Sequence, residues 1–333
     1  MKTKLTFAAA LLIISCTHVN KEETAYVDPL PSWNDKESKS SIINFIKETT
    51  NPENQNFIPV PDRIAVFDND GTLWSEKPVY FQLLFAIDRV KELADQHPEW
   101  EKEQPFKAVL ENDMDELKSY GVEGLLKIVM ATHTGLTTEE FEDIVKKWLS
   151  TVKHPRFNRP LTDLVYQPML ELLSYLQMND FKVFIVSGGG IEFMRPWVEE
   201  IYNIPRNQVV GSSVKTEFVF IEDRPVIKRL PEIDFIDDKE GKPIGIHKHI
   251  GRKPVFCAGN SDGDLPMMQW TASGEGKRFM LYIHHTDSVR EWAYDRDSSV
   301  GRLEKGLEEA TAKGWVIADM EQDWKVVYPF EKE

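Results

Sequence analysis

Cysteine is almost missing from this 333-residue chain, which has only Cys16 and Cys257. No disulfide framework can therefore hold it, and stability must come from a hydrophobic core. Basic charge is in deficit: 40 Lys and Arg stand against 55 Asp and Glu, a net charge of −15. Holding a phosphate backbone takes clustered Lys and Arg, so nucleic acid is excluded as a main partner. No apolar run is long enough to cross a bilayer as a helix. Glycine and proline, 18 and 19 residues, follow no period, which removes collagen-like and low-complexity classes. What is there is 41% hydrophobic residues, enough to build one large domain or two closely associated ones.

The first sixteen residues have the make-up of an export signal. Lys2 and Lys4 precede an apolar run over residues 5–14 that ends in Ile13-Ile14-Ser15-Cys16, too short for a spanning helix and right for a signal peptide. The ending resembles a bacterial lipobox, which implies cleavage before Cys16 and lipidation of that residue. A plain secretory signal with an incidental Cys is the other reading. The expectation is an exported cell-envelope lipoprotein, on the periplasmic or cell-surface side, that touches the membrane through its lipid anchor only. Residues 17–38 are polar, with a charged run at Lys21-Glu22-Glu23, and are expected to be a tether.

Beyond it, strands and helices alternate. Residues 63–67 (RIAVF), 182–186 (KVFIV), 254–258 (PVFCA) and 279–283 (FMLYI) are short apolar runs, as buried parallel strands should be. Between them lie helical stripes: Met169, Leu172, Leu173 and Leu176 with Pro168 in the first turn, and Phe141, Ile144, Val145, Trp148 and Leu149 behind Thr137 and Glu140 at capping-box spacing. Residues 303–310 and 315–317 add a helical face and a short apolar strand that pack on the core. The fold class expected is α/β, a doubly wound, Rossmann-like parallel sheet. Residues 74–163 read as helical and are too long for an ordinary connection. They are expected to form an inserted helical subdomain, with 39–73 and 164–333 as the α/β core.

Chemistry gathers where strands end. The first runs into Asp68-Asn69-Asp70-Gly71-Thr72. Asp68 and Asp70 project to one side of extended chain, and two such carboxylates repel unless a cation or proton is shared between them. A hard divalent cation would resolve the conflict, leaving one carboxylate as nucleophile and the other for proton transfer. Ordinary turn chemistry is the bland alternative for the same residues. The second strand ends in Ser187-Gly188-Gly189-Gly190 before a helical pattern through Ile191, Met194, Trp197, Val198 and Ile201, either a phosphate cradle or a tight corner. The third runs into Gly259-Asn260-Ser261-Asp262-Gly263-Asp264, and upstream Gly241-Lys242-Pro243 opens a short amphipathic helix.

These four elements, in this order and context, resemble the haloacid dehalogenase superfamily of phosphotransferases. The resemblance implies that Asp68 is the nucleophile and Asp70 the general acid and base. It gives Thr72, Ser187 and Gly188 to the phosphate, Lys242 to orienting phosphate and nucleophile, and Asp68, Asp70, Asn260 and Asp264 to Mg2+. Many members carry Asp where this chain has Asn260, so Asp262 is a second candidate for the metal. Lys239 and Lys248 lie near Lys242, which is preferred for its place at a helix start. Dehalogenases of the superfamily lack the second acid, because halide leaves without a proton, so Asp70 favours phosphoryl transfer.

The insertion resembles a type I cap, which suits small phosphomonoesters. The stretch 67–78, the GNSDGD turn and the tail from His284 resemble bacterial proteins described as phosphoserine phosphatase-like. The activity implied is Mg2+-dependent hydrolysis of small phosphomonoesters through an aspartyl phosphate, with phosphoserine or another amine-bearing ester as candidate. The alternatives are a phosphotransferase or mutase, or a catalytically silent envelope binding lipoprotein. Glu76 either reads a substrate amine or faces water. Trp74 and Tyr80 either wall the pocket or belong to the core, and His284 and His285 either reach the site or make structural hydrogen bonds. Cys257 is expected to be an inert core residue.

Overall fold

The computed structural model describes residues 27–332, so the expected export signal, Cys16 and the first part of the expected tether lie outside the described residues. Seven strands form one sheet: β1 Ile64–Phe67, β2 Lys182–Gly190, β3 Val209–Ile221, β4 Arg224–Phe235, β5 Phe256–Gly259, β6 Phe279–His284 and β7 Val316–Asp319. Their order is β4-β3-β2-β1-β5-β6-β7. Every pairing is parallel except that of β3 with β4.

The apolar runs are continuous because both faces of the central strands are covered. Ala65 and Phe67 belong to one hydrophobic cluster with Ile185, Phe256 and Leu172. Ile64 and Val66 point into a second, with Val186, Cys257 and Met267. From β1 the chain builds outward through β2 on one side and through β5 on the other, so the strand order reverses there. In open α/β sheets, that reversal opens a crevice at the carboxyl ends of the strands. Asp68, Ser187 and Asn260 stand at this edge.

Between β1 and β2 run the helices Phe81–Leu93, Phe106–Leu110, Met114–Ser119, Gly121–His133 and Thr138–Leu149. They enclose an apolar cluster of their own that includes Ala86, Val90, Trp100, Phe106 and Val109. Thr137 accepts from Glu140 N at 3.1 Å and Glu140 Oε2 from Thr137 N at 2.8 Å, the capping box that the sequence spells. Pro168 lies in the first turn of Gln167–Met178.

Four features depart from the sequence expectations. Residues 28–36 belong to no tether: Leu30 and Trp33 are fully buried, Trp33 Nε1 donates to Pro168 O at 3.0 Å, and Ser32 Oγ donates to Glu171 at 2.6 Å. Two apolar anchors dock a stretch whose composition is otherwise polar. β2 continues through the three glycines, with a register shift between Ser187 and Gly190, so the expected turn is an irregular strand end. The helical pattern after it is split into Ile191–Met194 and Val198–Tyr202, because Pro196 has no N–H to continue the ladder. The long hairpin of β3 and β4 is absent from the sequence expectations. It reaches the helical insertion through Arg229, whose Nε donates to His133 O at 2.6 Å and whose guanidinium pairs with Glu192.

Candidate active site

Lys242 organises the site. It lies at the start of the helix Gly241–His249, 2% exposed. Its Nζ donates to Asp68 Oδ1 at 2.6 Å and to Val186 O at 2.8 Å, and pairs with Asp264 Oδ1 at 2.7 Å. Burial acts to lower its pKa, but Asp264 and Asp68 outweigh burial and hold the ammonium charged well above its ordinary range. Lys239 and Lys248 are exposed, and Lys248 lies over the Phe235 ring. The choice among the three lysines falls on Lys242.

Asp68 follows β1 directly, and its N–H donates to Ala258 O at 3.0 Å, which ties it to β5. Burial, with Asp264 and Asp70 nearby, pushes its carboxyl well above the usual range, against the pull of Lys242. Asp70 accepts from Trp74 Nε1 at 2.7 Å. Burial raises Asp70 to about 6, while the indole N–H and Lys242 act to hold it down. Trp74 is buried, stacked on Trp197 at 4.3 Å and edge-on to Phe81 at 4.7 Å. It is both core and support for Asp70. Gly71, between the two acids and Thr72, has φ +73°, and a Cβ there would lie 2.0 Å from Asn260 Nδ2, so the turn accepts glycine only.

The other ends of the site close around these groups. Ser187 Oγ accepts from Gly189 N at 3.1 Å, and Gly190 N donates to Gln82 Oε1 at 2.7 Å. A Cβ on Gly189 would lie 3.7 Å from Asp70 Oδ2, so the glycine run stands against the acid pair. Gln82 comes from the first turn of the helical insertion. Nothing in spacing or composition singled it out.

Asn260 Oδ1 accepts from Thr72 Oγ1 at 3.1 Å, and Asn260 Nδ2 donates to Glu76 Oε1 at 2.7 Å. Glu76 is 1% exposed and also accepts from Tyr294 OH at 2.7 Å. Burial first, then Asp70 and Asp68, pushes its carboxyl well above the ordinary range, against the Tyr294 bond. It does not face water.

Two expected metal residues are otherwise employed. Asp264 gives Oδ1 to Lys242 and takes the N–H groups of Asn260 and Ser261 on Oδ2, each at 3.0 Å, which makes it the counter-anchor of Lys242. Asp262 Oδ1 caps the start of the helix Lys305–Lys313, accepting from Glu304 N and Gly306 N at 3.0 and 2.9 Å. It is turned away. His285 Nε2 lies 2.8 Å from Gly71 O and Nδ1 3.2 Å from Glu291, so it braces the loop; His284 lies 3.4 Å from Asp295. Cys257 is buried and its thiol is pushed up by burial.

Among the described residues no three acidic, imidazole or thiol side chains already enclose a metal ion. The donor chemistry nonetheless fits a hard cation. Asp68, Glu76 and Asp264 are buried and Asp70 half-buried, and Lys242 is the ammonium enclosed with them. Such an excess of buried carboxylate needs protons or a cation.

The family described as haloacid dehalogenase-like hydrolase matches residues 65–269. No curated protein matches the chain. Among solved structures, the fold is similar to that of a conserved, functionally unknown protein from Anaerococcus prevotii DSM 20548, at 16% identity over 88% of this chain and 94% of that one, with a TM-score of 0.54. A protein of unknown function from Bordetella pertussis Tohama I matches at 14% identity over 78% and 98%, TM-score 0.46. A phosphoserine phosphohydrolase-like protein from Francisella tularensis subsp. tularensis SCHU S4 matches at 14% over 78% and 95%, TM-score 0.31. With the matched segment spanning the Asp68, Ser187, Lys242 and Asn260 elements alike, the chain belongs to the haloacid dehalogenase-like hydrolase family.

Proposed function

We propose that the protein hydrolyses small phosphomonoesters through a covalent phosphoryl group on Asp68. The observation that carries this is the bridge from Lys242 to Asp68 and Asp264, with Asp70 held by Trp74 at the same strand edge. Lys242 favours the ionised form of Asp68 against the burial that raises it and engages Oδ1, leaving the other oxygen for attack on phosphorus. As the Asp68 oxygen bonds to phosphorus, the ester P–O bond breaks and Asp70 delivers its proton to the departing alkoxide. Asp70 then takes a proton from water, whose oxygen displaces Asp68 and releases inorganic phosphate. Ser187, Thr72 and the N–H groups of the glycine run are the donors for the phosphoryl oxygens.

Asp68, Asp70 and Asn260 would hold Mg2+, with charge neutralisation of the phosphoryl group as the chemistry it supplies when bound. The helical insertion, reaching the glycine run through Gln82, would act as a cap that limits substrates to small esters. An amine-bearing ester such as phosphoserine suits the exposed Asp238, whose side chain lies beside Gly188 and Gly263 at the mouth. Export as a lipid-anchored envelope protein suits a scavenging role.

The test is hydrolysis of phosphoserine, phosphoethanolamine, phosphocholine, nucleotides and sugar phosphates, with and without Mg2+. Mg2+-dependent release of phosphate, abolished in Asp68→Asn with the fold retained, is the expected result. Absence of turnover across the panel would favour a binding protein instead.

A further inference from the structure

We propose that Glu76 supplies the cation site with the negative charge that an acid at position 260 would otherwise carry; this rests on the divalent cation of the proposed function. Position 260 follows β5 next to the nucleophile strand, and it is occupied by a neutral amide. Its oxygen is engaged by Thr72 Oγ1 at 3.1 Å, and its N–H is turned to Glu76 Oε1 at 2.7 Å. The amide thus presents no charge of its own and stands in contact with a carboxyl group that can bear one.

Glu76 is 1% exposed, and its hydrogen-bond donors, Asn260 and Tyr294 OH at 2.7 Å, are both neutral. Neighbouring Lys77 gives its hydrogen bonds to Ser298 Oγ at 2.6 Å and Val300 O at 2.9 Å, and its charge lowers the Glu76 carboxyl less than burial and the acid pair raise it. A buried carboxylate served only by neutral donors is costly unless a positive charge joins it. The glycine turn brings it to the acid pair: a Cβ on Gly71 would meet Asn260 Nδ2 at 2.0 Å and Glu76 Oε1 at 2.5 Å. Glu76 therefore stands in contact with the nucleophile loop. A hard cation prefers anionic oxygen to amide oxygen, so moving the acid from 260 to 76 keeps the charge while changing the residue that bears it.

The test is binding of Mn2+ to the full chain without substrate, read by electron paramagnetic resonance of the free ion, with thermal unfolding as a check on folding. Glu76→Gln should weaken binding by roughly tenfold or more, the range of supporting residues around a metal. The swapped double variant Glu76→Gln with Asn260→Asp should regain most of the wild-type affinity. Unchanged binding in Glu76→Gln, or no recovery in the double variant, overturns the inference while leaving the cation site intact. Absence of Mn2+ binding in the wild type overturns the cation site as well. Should Glu76→Gln fail to fold, Asn260→Asp alone decides: two acids in contact should bind Mn2+ more tightly than wild type, and unchanged affinity speaks against the inference.

Discussion

The indole N–H of Trp74 donates to Asp70 Oδ1 at 2.7 Å, and Trp74 is fixed in turn by stacking on Trp197. A rigid donor of this kind sets the direction in which the second acid of the pair faces. Trp74→Phe keeps most of the stack and removes the donor. It should lower kcat by roughly tenfold, the equivalent of one lost hydrogen bond, with KM little changed. A kcat equal to wild type in a folded Trp74→Phe preparation would show that Asp70 needs no such support.

Lys242 is enclosed with Asp68 and Asp264. Removing one partner of a buried ion pair leaves uncompensated charge and typically costs about 3–5 kcal/mol. Lys242→Met should therefore lose both turnover and stability in denaturant titrations, whereas Lys248→Met, on an exposed face, should lose neither.

Asp237 gives the stability a pH dependence. It is fully exposed to no solvent, at 0%, and burial raises its carboxyl to about 7, against Lys242 and the Ser187 N–H, which act to lower it. Between the ordinary carboxylate pKa and about 7 the folded state binds the extra proton, so this group's contribution falls as pH rises through that window. Asp237→Asn should raise Tm more at pH 8 than at pH 5. An equal shift at both would refute the assignment.

Asp238, beside Gly188 and Gly263, is the acid open to a substrate amine. Asp238→Asn should raise KM for phosphoserine or phosphoethanolamine by several-fold and leave KM for a sugar phosphate unchanged, since an exposed charge contact is worth about 1 kcal/mol or less. Parallel changes in both would remove this role.

What could be read from sequence follows strand ends and side-chain periods. The four core strands of the parallel sheet announce themselves because both faces are buried; Asp68 and Asp70 stand where β1 ends, and Lys242 at the start of the helix before β5. Thr137 and Glu140 spell their cap locally. Other parts depend on contacts far along the chain. β3 carries exposed residues on both faces toward its tip, Phe218 and Phe220 at 62% and 66% among them, so it offers no alternation to find. Gln82 acquires its place only when the helical insertion meets Gly190, 108 residues away. Glu76 shows the reverse case: the sequence marks it out, but only the fold turns it inward to Asn260 and Tyr294.

The most direct test of the central claim is mass spectrometry of the enzyme quenched in acid during turnover of a small phosphomonoester, using Asp70→Asn to slow release from the nucleophile. A phosphoryl group on the peptide containing Asp68, lost in the Asp68→Asn, Asp70→Asn double variant, is the predicted result. Phosphate release by the wild type together with undiminished turnover in Asp68→Asn, and no phosphorylated peptide, would contradict it.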